Sequence, residues 1–146
     1  MIISGGQSGV DRAALDFALK HRISCGGWCP LGRMAEDGKI PDRYPLKETE
    51  SEDPSFRTRK NIEDSDGSLI IYSHEMDEGT RYTLQYAKKE MKPVYLIGLK
   101  DGINLGEFKL WIEINHIKTL NVAGPRESSD EGIYGFALNV LKELFK

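Results

Sequence analysis

Met1-Ile2-Ile3-Ser4-Gly5-Gly6-Gln7-Ser8-Gly9-Val10-Asp11 opens the chain, and its reading decides the fold. Ile2–Ser4 is a short apolar strand, and a glycine turn follows it. Val10, Ala13, Ala14, Phe17 and Ala18 then recur at i, i+3, i+4, i+7 and i+8, which predicts a helix over Val10–Lys20. A strand, a tight turn and a helix N-terminus make an anion site, because free backbone N–H groups and the helix dipole both favour negative charge there. Glycines let the backbone turn sharply and approach a phosphate closely. Ser8 and Asp11 also fit a Ser-x-x-Asp capping box. The loop is neither G-x-G-x-x-G nor a Walker A loop, and it lacks the G-x-S-x-G of a nucleophile elbow. It reads as a binding loop more than a catalytic one, and its plain alternative is a structural turn.

Outward from this stretch, strands and helices alternate. Ile23–Trp28 is a second strand, and residues 29–53 form a long irregular segment. Asp53-Pro54 is a cap and a first-turn proline, starting a polar helix over Pro54–Asp64. Ser68–Tyr72 and Pro93–Leu99 are continuous apolar strands, as a buried parallel sheet requires. Gly79-Thr80 opens a helix with Leu84, Ala87 and Met91 along one face. Leu105–Ile114 is helical, Ile117–Val122 is the last strand, and Glu131–Phe145 is the closing helix. The alternation indicates one α/β domain over residues 1–146: a Rossmann-like, doubly wound, mostly parallel sheet of about five strands with helices on both faces. In such sheets ligands bind beyond the C-terminal strand ends, where strand order reverses. Four loops should converge there: Gly5–Asp11, Cys29–Asp37, Ser73–Thr80 and Asn121–Ser128.

The candidate binding residues lie on those loops. The first gives Gly5, Gly6, Gln7, Ser8, Gly9 and Asp11. The second gives Arg33, suited to bidentate contact with an oxyanion, with Glu36 and Asp37. Gly79 and Thr80 form a second helix start, with Thr80 as its natural cap. The last loop gives Asn121, Gly124, Arg126, Glu127 and Ser128. Arg57, Arg59 and Lys60 read as a solvated helix face. His21, His74 and His116 share no metal spacing, and Cys25 and Cys29 are spaced C-x-x-x-C, so no metal site is expected. The 146 residues carry a net charge of -3, with 39% hydrophobic and 29% charged residues. That balance describes a globular chain with no global field toward nucleic acid or an anionic membrane. No apolar run is long enough for a transmembrane helix, and the first strand leaves no room for a signal peptide. The expected compartment is the cytoplasm.

Taken together, Ile3–Asp11, Gly27-Trp28-Cys29-Pro30 with Gly32-Arg33, Ala35–Gly38, Asp64-Ser65-Asp66, Gly79-Thr80 and Asn121–Ser128 resemble the putative molybdenum carrier family. That family is similar to the molybdenum cofactor carriers and, more distantly, to the lysine-decarboxylase-like, LOG-type Rossmann proteins. The resemblance covers nearly the whole chain. It implies a Rossmann-like domain, homo-oligomerisation, and a small anionic ligand: molybdenum cofactor, molybdate, or a phosphorylated pterin or nucleotide. LOG-type phosphoribohydrolases carry Pro-Gly-Gly-x-Gly-Thr-x-x-Glu at their second glycine loop. Here Gly79-Thr80 remains and Thr83 stands in place of the glutamate, which favours a carrier. The alternatives are a nucleoside-monophosphate phosphoribohydrolase, with Glu36, Asp37 or Glu127 as the acid, or a sensor of a nucleotide-derived ligand. No catalytic residue is assigned. Tyr82 and Tyr86, at i, i+4 spacing, mark the helix expected to form a subunit interface.

Overall fold

The computed structural model describes residues 1–146. The first half of the chain holds β1 (Ile2–Ile3), α1 (Val10–Lys20), β2 (Cys25–Gly26), β3 (Trp28–Cys29), β4 (Met34–Ala35), β5 (Gly38–Lys39), β6 (Lys47–Glu48) and α2 (Pro54–Asp64). The second half holds β7 (Gly67–Tyr72), α3 (Glu78–Lys89), β8 (Val94–Gly98), α4 (Leu105–Ile114), β9 (Leu120–Ala123) and α5 (Ile133–Leu144), with a 3-10 turn at Glu127–Ser129.

The central sheet has five strands in the order β2-β1-β9-β7-β8. Every neighbouring pair is parallel, with Ile2 opposite Cys25 on one side and Leu120 on the other. α1 and α5 pack against each other over one face, where Ile2, Leu69, Ile71 and Val122 meet Val10, Phe17, Val140 and Leu141. Ile70 alternates to the opposite face and is fully buried there. α2 and α3 pair with one another on that side. The expected α/β, doubly wound architecture is therefore the observed one. No helix is long and apolar enough to cross a membrane.

Several local expectations change. The second strand divides at Gly27, whose φ of +126° turns β3 away from the main sheet to pair with β6. A Cβ at Gly27 would lie 2.4 Å from the Ser4 carbonyl oxygen, so the turn is tight as well as left-handed. Residues 29–53 are a folded flap rather than an irregular loop. It carries the β4–β5 hairpin, and its Cys29, Ile40, Tyr44 and Leu46 close a second small core on Leu15 of α1. The last strand starts at Leu120, because Asp66 Oδ2 accepts from the Lys118 and Thr119 N–H groups and holds that approach as a turn. On α3 the buried stripe is Thr80, Thr83 and Ala87. Met91 falls outside it, at φ +57° past the helix end and 90% exposed.

Candidate functional site

From β1 the chain moves to β2 on one side, whereas β7 and β8 lie on the other side of β9. The order thus reverses beside β1, and a crevice opens above the strand ends. The first residues of α1, α2 and α3 meet there and enclose a cavity of about 680 Å³. Gln7 lines it from the loop after β1 and Asp11 from α1, Ser55, Arg57 and Thr58 from the start of α2, Asp77 to Thr83 from the start of α3, and Gly124 and Arg126 from the loop after β9.

The glycines of the first loop serve the chain's own packing. A Cβ at Gly5 would lie 2.5 Å from Arg57 Nη1, and one at Gly6 2.6 Å from Leu46 Cδ1. One at Gly9 would lie 2.4 Å from the Pro125 carbonyl oxygen. Gly6 and Gly9 also have φ of +81° and +80°. Gly9 caps α1 through its backbone, and the Ser-x-x-Asp box does not form. Instead the Asp11 carboxylate folds back toward the Gln7 N–H at 3.4 Å.

Asp11 is 3% exposed and lies 3.6 Å from Arg57 Nη1. Burial pushes its carboxyl above the usual carboxylate range, against the pull of Arg57 and the Gln7 N–H, and the nearby Asp77 charge adds to the rise. Arg57 corrects the reading of α2 as a solvated face. Its side chain is 15% exposed, it packs on Gly5, and its buried Nε has no hydrogen-bond partner. Thr58, Asn61 and Ile62 form the rest of the inward side. The sequence signal was the Asp53-Pro54 start, which brings position 57 to the strand ends.

Asp77, and not Thr80, caps α3, accepting from the Thr80 N–H at 2.9 Å and from its hydroxyl at 2.5 Å. Burial raises the Asp77 carboxyl, but these bonds and the Arg126 N–H at 3.4 Å outweigh it and leave it below the usual range. Thr83 is buried, and its hydroxyl donates to the Gly79 carbonyl at 3.1 Å.

The acids nominated from the sequence are occupied elsewhere. Glu36 accepts from the hydroxyls of Ser8 and Ser128 and from the Ser128 N–H at 3.1 Å. Its own N–H donates to Gln7 Oε1 at 2.8 Å. The Ser128 and Ser8 hydroxyls, with Arg126 nearby, hold its carboxyl below the usual range. Glu36 thereby clamps the flap tip to the loops after β1 and β9. Asp37 makes a two-point contact with Arg12 at 3.0 and 3.1 Å. Glu127 accepts from the Gly132 and Tyr134 N–H groups at the start of α5. Asn121 is buried and donates to Ser68 Oγ at 3.1 Å.

Arg33 does not reach the cavity. Its guanidinium donates to the carbonyls of Pro41 (2.8 Å), Tyr44 (3.0 Å), Ile40 (3.1 Å) and Leu46 (3.2 Å), pinning the flap from within. The cavity's basic groups are Arg57, Arg81 and Arg126. Arg81 gives one bond, from Nη1 to the Met76 carbonyl. Arg126 gives its Nε to Ser129 Oγ, and its side chain is 52% exposed. Tyr82 and Tyr86 turn toward α2, where Arg59 donates to the Tyr82 hydroxyl and the Tyr86 hydroxyl donates to Glu63. Both hydroxyls are engaged inside the chain, and both residues remain half-buried.

A parallel five-stranded sheet with its cavity at the point of strand reversal defines an α/β domain of the Rossmann class. The chain belongs to the circularly permutated YpsA SLOG family, whose model matches residues 2–145. It is also similar to the solved putative molybdenum carrier protein of Syntrophus aciditrophicus SB. The two share 44% identity over 99% of this chain and 94% of the other, with a TM-score of 0.92. No curated protein matches this chain.

Proposed function

We propose that this chain is a binding protein for a small phosphorylated ligand of the molybdenum-cofactor, phosphopterin or nucleotide kind. The observation that carries the reading is the meeting of three helix N-termini with Arg57, Arg81 and Arg126 around one polar cavity. Helix N-termini and arginines favour the same charge, and the guanidiniums of Arg81 and Arg126 keep donors that no protein group takes. The name of the Syntrophus protein supports a molybdenum-related cargo. The two cysteines and three histidines all lie outside the lining, so the cavity offers no thiolate or imidazole to a bare metal. Its donors suit the phosphate end of an organic cofactor.

The phosphate is assigned to Arg126 and the α1 and α3 starts, in the part of the cavity that Gln7, Thr80 and Gly124 also line. Ser8 and Glu36 support that part from behind. The test is native mass spectrometry of protein purified from its own source. A retained phosphorylated molecule, released on denaturation, is the expected result. A retained molecule that contains no phosphate would overturn the reading.

A further inference from the structure

Four carboxyls share the cavity with the three guanidiniums: Asp11, Asp53, Asp77 and Glu78. These carboxyls offset the guanidiniums over the part of the lining that the phosphate leaves free. The ligand must therefore bring hydrogen-bond donors as well as acceptors.

One pair of groups in the lining is short of partners within the chain. The Asp11 side chain is 5% exposed and that of Arg57 is 15% exposed. Both border the cavity. A buried carboxylate normally fills its lone pairs with short bonds. The neighbours of Asp11 are the Gln7 N–H at 3.4 Å, Arg57 Nη1 at 3.6 Å and the Ser4 hydroxyl. The neighbouring Ser4 hydroxyl gives its proton to the Val122 carbonyl at 2.7 Å. Arg57 is equally underused, with a buried Nε that has no partner. Asp77 caps α3 and Arg126 is assigned to the phosphate, so neither fills this role. A carboxylate and a guanidinium side by side present acceptors next to donors. The complementary ligand edge carries a carbonyl oxygen beside two parallel N–H groups.

We propose that Asp11 and Arg57 read a 2-amino-4-oxopyrimidine edge, the edge that guanine and pterin share. Arg57 donates to the ring carbonyl, and Asp11 accepts from the ring N–H and the exocyclic amine. The adenine edge has the opposite order and meets donor with donor and acceptor with acceptor. This assignment rests on the phosphorylated-ligand reading above and narrows its class.

Calorimetric titration of the full chain with GMP, IMP, AMP and neopterin monophosphate tests it. A site built to pair a donor discriminates strongly against the analogue that lacks it, so GMP or neopterin monophosphate should bind at least about tenfold tighter than AMP. IMP, which keeps the carbonyl and one N–H, should fall between. The tighter of the first two identifies the nucleotide or pterin source. In Asp11→Asn the preference over AMP should shrink to within about twofold. Should that variant fail to fold, the four-ligand series on the parent protein still decides. Equal binding of GMP, neopterin monophosphate and AMP would overturn the edge assignment and leave the phosphorylated-ligand reading standing. No binding by any of the four would overturn that reading, and the edge assignment with it.

Discussion

Arg33→Ala should act on stability, whereas a ligand-contacting arginine would act on affinity. The Arg33 side chain is 12% exposed, and its four acceptors are all backbone carbonyls between Ile40 and Leu46. Its nearest carboxylate, on Asp42, is 4.0 Å away and 90% exposed, so that ion pair adds little. The Pro41 and Tyr44 carbonyls also accept the Tyr44 and Leu46 N–H groups, so removing the guanidinium strands the Ile40 and Leu46 carbonyls, at about 1–3 kcal/mol each when unsatisfied and dry. The space vacated by the guanidinium can admit water, so the low end applies. Two carbonyls at about 1 kcal/mol each give about 2 kcal/mol. For a chain of this size each kcal/mol lowers the melting temperature by about 2–4 °C, so the variant should melt roughly 4–8 °C lower. Scanning calorimetry reads the shift, and amide hydrogen exchange should localise the faster opening to residues 30–48. A variant that melts within about 2 °C of the parent but loses ligand affinity would refute the reasoning and return Arg33 to the site.

Gly6→Val should destabilise the whole domain, since its side chain must enter the space of Leu46 and Ile40 at a φ of +81°; normal melting with lost binding would show a ligand-facing position instead. The Glu36 carboxyl is held low by Ser128 and Ser8, so its stabilisation is full above the unfolded carboxylate value of about 4.3 and fades as pH falls through the lower folded value. Melting curves of the parent and Glu36→Gln should separate above about pH 5 and converge in acid, and a gap independent of pH would contradict the clamp. Incubation with GMP, AMP, CMP and UMP should release no free base, because Glu36, Asp37 and Glu127 are all engaged and Thr83 donates to Gly79. Base release that disappears in Asp11→Asn would make the chain a hydrolase.

The parts of this molecule legible in the sequence are those that periodicity encodes. The Val10–Lys20 stripe, the apolar run ending at Tyr72 and the Asp53-Pro54 start each appear at the expected place. The gathering of loops at one sheet edge follows from the alternation alone. Polar partnerships were not legible, because a periodic pattern records burial but not the hydrogen-bond partner of a buried charge. Arg33 looks like an anion ligand in sequence, since its carbonyl acceptors lie up to 13 residues away in a flap with no repeating pattern. Arg57 looks like a solvated cation, since its neighbours Gly5 and Asp11 are more than forty residues distant. The glycine loop was right as a strand-to-helix turn. The reason for its glycines lies in the Leu46, Pro125 and Arg57 atoms that press on it.

The central claim is that the cavity holds a phosphate through Arg126 and the α1 and α3 starts. Its most direct test is a calorimetric comparison of neopterin monophosphate with neopterin, and of GMP with guanosine, on the parent, Arg126→Ala and Ser8→Ala. The phosphorylated partner should bind more tightly in each pair. A charge-assisted bond is worth about 1.5–3 kcal/mol, so Arg126→Ala should remove roughly tenfold or more of that advantage, and Ser8→Ala should remove less. Equal affinity with and without the phosphate on the parent protein would contradict the account.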